Sequence, residues 1–123
     1  MITGQVTANR EAVIELEIVS QNQQIERVEA VIDTDFNGYL TLPSDLVNLL
    51  NLQLAGNRRA TLGDGNTVVL DVYLAKVIWH GQEREVIVLQ AEGGPLIGMS
   101  LLYGNRVILT IVNGGDVTID PIL

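Results

Sequence analysis

Cysteine is absent from this chain of 123 residues, and histidine occurs once, as His80. The first absence excludes disulfides, thiolate zinc sites and cysteine nucleophiles. The second leaves any Ser-His-Asp triad with a single possible base. His80 stands in "VIWHGQERE", where His80-Gly81 has the form of a two-residue hairpin turn. A turn tip offers no buried partner to orient an imidazole, so His80 is read as a turn residue. Basic residues are also scarce, with 7 Lys plus Arg against 15 Asp plus Glu and a net charge of −8. Nucleic acid and anionic membrane surfaces, which recruit Lys and Arg, are excluded as main partners. Arg58-Arg59 is the sole basic pair and too small to make a patch. No apolar run approaches the roughly 20 residues that span a bilayer. The start, "MITGQVTANREAV", has neither the basic nor the apolar region of a signal peptide, so a soluble cytoplasmic protein is expected.

What is present is strand pattern. Hydrophobic residues make up 47% and charged residues 18%, the balance of one globular domain over residues 1–123. In "EAVIELEIV", Ile14, Leu16 and Ile18 alternate with Glu15 and Glu17, as on a half-buried strand. "VEAVI" (28–32) is a short strand, and "TVVLDVYLAKVIW" (67–79) is a long one that pairs with "EREVIVLQ" across His80-Gly81. "RVILTIV" and "DVTI" form a last hairpin through "NGG". Two segments break the pattern. "PSDLVNLLNL" (43–52) has helical leucine spacing behind Pro43 and Ser44, and "GMSLLYG" (98–104) is one apolar turn between glycines. The expected fold class is all-β, a closed barrel with one or two short helices.

The stretch "VIDTDFNGYLTLP" (31–43) carries the chemistry. Asp33, Asp35, Asn37 and Gly38 match the opening of a calcium-binding loop, D-x-D-x-N-G. Such a loop closes with a bidentate Glu at its twelfth position, which here is Ser44, and it follows a helix, whereas "VEAVI" is strand-like. No metal and no other cofactor is expected at this turn. The remaining reading is an Asp-bearing turn between two strands.

That turn, with the later "PLIGMSLLYG", resembles the retropepsin-like, single-domain aspartic proteases of bacteria. The resemblance is carried by Asp33-Thr34-Asp35-Phe36-Asn37-Gly38, then Leu40-Thr41-Leu42-Pro43, and in the second half Leu96-Ile97-Gly98-Met99-Ser100-Leu101-Leu102. It covers nearly the whole chain and implies a closed acid-protease barrel acting on peptide or protein substrates. Asp33 is the implied catalytic carboxyl, and Thr34 the residue that hydrogen-bonds across a dimer axis. A cleft-covering hairpin is implied in mid-chain, where Gly63, Asp64 and Gly65 are the candidate tip. Two carboxyls about 3 Å apart share one proton and divide the acid and base roles. One such turn per chain requires a homodimer.

Asp35 departs from the pattern, since the family has glycine there, with its main chain against the catalytic carboxyl and the substrate. A side chain at that position is expected to crowd the cleft and add two carboxylates to a dimeric site. Two functions therefore stay open, a homodimeric aspartic endopeptidase and a catalytically impaired relative serving as a binding or structural module. Four clustered carboxylates holding a divalent cation is the lesser alternative.

Overall fold

In a computed structural model, described for residues 1–61 and 64–122, the chain is built mostly of strands. In chain order the elements are β1 (Ile2–Val6), β2 (Ala12–Val19), β3 (Ile25–Ile32), β4 (Leu40–Leu42), α1 (Ser44–Leu49) and β5 (Gln53–Thr61). They continue with β6 (Thr67–Trp79), β7 (Gln82–Gln90), β8 (Leu96–Ile97), α2 (Met99–Leu102), β9 (Asn105–Leu109) and β10 (Asp116–Pro121). The strands hydrogen-bond in the order β5-β6-β7-β4-β8-β3-β2-β1-β10-β9, and a further β6–β2 pairing links two non-adjacent members. No described helix is long and apolar enough to cross a membrane.

Alternation decides which face each strand buries. Ile14, Leu16 and Ile18 of β2 are buried, and across the antiparallel ladder Leu16 faces Val28 and Ile14 faces Ala30. Ala75, Val77 and Trp79 of β6 and Val86 and Val88 of β7 join the same core, with Val117 and Ile119 of β10. Each fully buried aliphatic side chain of this kind contributes about 1.5–3 kcal/mol. On the outer face Arg27 pairs with the exposed Glu15 at 3.4 Å and the half-buried Glu17 at 3.5 Å. Exposed pairs of this type add roughly 0.2–1 kcal/mol.

Three strands were not evident from sequence, the two-residue β8 and the longer β1 and β5. β1 ("ITGQV") has only Ile2 and Val6 as apolar residues, and its Gly4 lies so close to β2 that a Cβ would strike the Val13 carbonyl. β5 ("QLAGNRRAT") is exposed along its length wherever its side chains are described and pairs only with β6. The first helix is shorter than its leucine spacing suggests. It ends at Leu49 because Asn51 takes a left-handed φ of 51°, turning the chain toward β5. The strand expected over 106–112 stops at Leu109. Beyond it the chain folds back, with the Thr110 N–H donating to Asp116 and the Gly114 N–H to Val6.

The middle of the sheet interleaves both halves of the chain. β8 lies between β3 and β4, parallel to the first and antiparallel to the second. β4 runs parallel to β7 on its other side, and Leu40, Thr41 and Leu42 are all buried. The Thr41 hydroxyl accepts the Leu96 N–H at 3.0 Å, which satisfies a buried polar group within this seam. The end of β3 therefore emerges beside the end of β8, and this places the Asp33 turn against α2.

Candidate functional site

A strand, not a helix, delivers Asp33. It follows β3 directly, and its N–H donates to the Ile97 carbonyl at 2.9 Å, extending the β3–β8 seam by one residue. The Phe36 N–H donates back to the Asp33 carbonyl at 3.2 Å and closes the turn. Within it the Asp35 N–H donates to Asp33 Oδ1 at 3.0 Å, fixing one carboxylate oxygen against the main chain. Asp33 is partly buried, while Thr34 and Asp35 are exposed.

The rest of the turn is tied to the start of α2. The carbonyls of Phe36, Gly38 and Tyr39 accept the N–H groups of Met99 at 2.8 Å, Ser100 at 3.1 Å and Gly98 at 3.1 Å. The Ser100 hydroxyl donates to the Asn37 carbonyl. N–H groups that a helix start leaves without intrahelical partners are thereby satisfied by the turn. The ring of Phe36 fills the space between two glycines. A Cβ at Gly38 would come within 2.5 Å of that ring, and one at Gly98 would meet the ring at 2.5 Å, the Phe36 carbonyl and the Gly38 carbonyl. Both glycines are present for close approach, a requirement that Phe36-x-Gly38 signals only once its partner segment is known.

Asp35 is not among the residues with positive φ, so the backbone there does not demand glycine. Its N–H makes the contact that a glycine would make. Among the described residues no three carboxylates or imidazoles converge on a common point. Among the described residues of one chain, Asp33 and Asp35 thus stand without a third acidic partner.

An apolar groove of about 410 Å³ borders the turn. Ile32, Thr34, Met99, Leu102, Tyr103 and Val107 are among the residues that line it. Thr34 is the point where the Asp33 turn meets this groove.

Of the three candidate tip residues, Gly63 lies outside the described residues. Asp64 and Gly65 lie between β5 and β6, where Asp64 accepts from the Asn66 main-chain and side-chain N–H groups at 2.9 Å each. Gly65 has φ +87°, a conformation that glycine takes without strain. β5 and β6 pair from Asn57↔Asp71 out to Thr61↔Thr67, whereas β7 begins to pair with β6 only at Val72. The hairpin is therefore a two-stranded arm projecting past the sheet. Among the described residues no hydrogen bond joins its tip to the Asp33 turn.

His80 does occupy the hairpin turn, with φ 51° beside Gly81 at 78°. It is nevertheless oriented, contrary to the expectation for a turn tip. Its Nε2 lies 2.7 Å from Asn105 Oδ1, and its ring meets Trp79 edge-on at 5.5 Å between centroids. Asn105 Nδ2 donates to the carbonyls of Leu102 and Tyr103, which leaves its Oδ1 as the acceptor and puts the proton on His80 Nε2. This ties the β6–β7 turn to the end of α2 as a structural link.

Comparison with protein-family models, curated proteins and solved structures returned no match.

Proposed function

We infer that this chain is a retropepsin-like aspartic endopeptidase that works as a homodimer, with Asp33 as the catalytic carboxyl of each subunit. The observation that carries the reading is the 3.0 Å bond from the Asp35 N–H to Asp33 Oδ1, within a turn held at four successive carbonyls by the start of α2. A carboxylate aimed by a main-chain donor at the end of a strand is the arrangement that family resemblance implies. The pairing series β2-β3-β8-β4-β7-β6, together with the β6–β2 pairing, fits a closed acid-protease barrel. The projecting β5–β6 arm fits the cleft-covering hairpin.

The chemistry follows from pairing two such turns. One Asp33 carboxylate takes a proton from water as the water oxygen attacks the scissile carbonyl carbon. The protonated Asp33 of the second subunit gives its proton to the carbonyl oxygen, forming a tetrahedral diol. Collapse breaks the C–N bond, the departing nitrogen receives the proton held by the first carboxyl, and a diol hydroxyl returns its proton to the second carboxylate as the carbonyl reforms. The twin docks on the groove beside Thr34, where the two turns brace each other across the axis.

A dimeric binding or structural module is the second reading, favoured by the Asp35 side chain standing where the family has glycine. The two are separated by assaying unstructured protein substrates from acid to neutral pH, with size measured by light scattering. Asp33→Asn is expected to lower cleavage at least about 100-fold while dimer and fold persist. Undiminished cleavage by that variant, or full activity from a strict monomer, overturns the endopeptidase reading. A dimer with no cleavage and no affinity for a statine-type transition-state mimic establishes the module instead.

A further inference from the structure

Arg84 occupies a position where strand geometry would put an apolar residue. On β7 it shares the parity of Val86 and Val88, which are 2% and 0% exposed, and it stands opposite Val77, which is fully buried. Its neighbours Glu83 and Glu85 project to the other face. The ion pairs found among the described residues both belong to Arg27, so the half-buried guanidinium of Arg84 has none with a described residue. Charged groups are ordinarily paired when fully buried, and a half-buried one keeps its head group open to solvent or to a ligand.

The guanidinium is held in place. Its Cζ lies 5.5 Å from the centroid of the Tyr39 ring, a cation–π stack that fixes the fork while leaving its donors free. Around it is a cavity of about 280 Å³ lined by Tyr39, Arg84, Met99, Ser100 and Tyr103. Tyr103 is 86% exposed and Met99 45% exposed, so an aromatic ring and a thioether form an open apolar rim beside a fixed cation. The Ser100 hydroxyl is committed to the Asn37 carbonyl, which leaves Arg84 as the charged recognition element.

We propose that this cavity is a binding site for a peptide carboxylate adjoining an apolar side chain. The carboxylate lies on the fork of Arg84, and the apolar side chain lies on Tyr103 and Met99. A planar guanidinium accepts a carboxylate through two parallel hydrogen bonds, which an amide cannot reproduce. The chain's net charge of −8 means that anionic peptides are repelled over most of the surface, so binding at Arg84 is selective by location. The cavity shares Met99 and Tyr103 with the groove beside Thr34 but does not include Asp33, and carboxylate binding at Arg84 does not depend on the endopeptidase reading.

The carboxylate has two sources, a free C-terminus or an acidic side chain, and the test separates them. Three fluorescently labelled peptides are titrated by anisotropy against the full chain. One ends in Leu with a free carboxyl, one is its C-terminal amide, and one is amidated with an internal Leu-Glu. At least one carboxylate peptide is expected to bind about tenfold more tightly than the plain amide, and which one does so identifies the source. Arg84→Gln is expected to abolish that preference, and Arg84→Lys to retain only part of it. Tyr103→Ala, at an exposed position, is expected to weaken binding severalfold with no loss of fold when compared at equal oligomeric size by light scattering, since the same ring lines the groove beside Thr34, and this keeps the test decisive should the Arg84 variants unfold. Equal affinity for all three peptides, a preference that survives Arg84→Gln, or an affinity untouched by Tyr103→Ala overturns the proposal.

Discussion

A methyl group at Gly98 would run into the Gly38 carbonyl and the ring and carbonyl of Phe36. Because two of these three obstacles are backbone, side-chain rotation cannot relieve the clash. Gly98→Ala is expected to destabilise the chain by about 1–3 kcal/mol, the usual cost of overpacking, read as a lower denaturation midpoint with an unchanged slope. Thr41 sets a comparable constraint from within the core. Thr41→Val keeps the volume but leaves the Leu96 N–H without its acceptor, and the expected loss is about 1–3 kcal/mol, with Thr41→Ser retaining most of the bond. Asp35 behaves differently, since its contact with Asp33 is made by main chain and its φ is not left-handed. Asp35→Gly is expected to fold with a stability change within about 1 kcal/mol. Under the endopeptidase reading it raises cleavage by removing two carboxylates from the dimeric site. Unchanged cleavage would mean that the natural side chain never reaches that site.

At the scale of elements, legibility in the sequence tracked how local the determining interactions are. β6 was bounded correctly at Thr67 and Trp79, because alternation and the His80-Gly81 turn are both short-range signals. Gly81→Ala therefore has a local expected cost of about 1 kcal/mol, from forcing a Cβ into φ +78°, measurable by thermal denaturation. β1, β5 and the two-residue β8 leave little trace in the sequence, the first two for different reasons. β1 is defined by the close approach of Gly4 to β2, and β5 by pairing with β6 alone. The Asp33 turn was legible from its flanks. Its attachment to Gly98, Met99 and Ser100 was not, since it joins residues some sixty positions apart through carbonyls that leave no trace in side-chain pattern. Arg84 was equally hidden. Its parity with Val86 and Val88 was available in "EREVIVLQ", but only the observed ladder shows that face to be the core.

For the whole molecule, charge and apolar surface make opposing demands on assembly. Each chain carries −8, so bringing two together costs long-range repulsion. The groove that borders Thr34 is lined by Ile32, Met99, Leu102, Tyr103, Val107 and Leu109 among others, and covering it rewards association without any charge pairing. Salt discriminates between these contributions, because the Debye length falls from about 30 Å at 0.01 M to about 3 Å at 1 M. Repulsion between like-charged subunits is screened over that range, while burial of aliphatic surface is not. The proposed dimer is therefore expected to tighten as salt rises, with its dissociation constant by sedimentation falling severalfold. Cleavage at low protein concentration should rise in parallel, since a lone Asp33 has no second carboxyl to share its proton. An interface held by ion pairs would respond in the opposite sense. Weakening with salt would thus move the twin away from the groove beside Thr34, and with it the basis for placing two Asp33 carboxyls face to face.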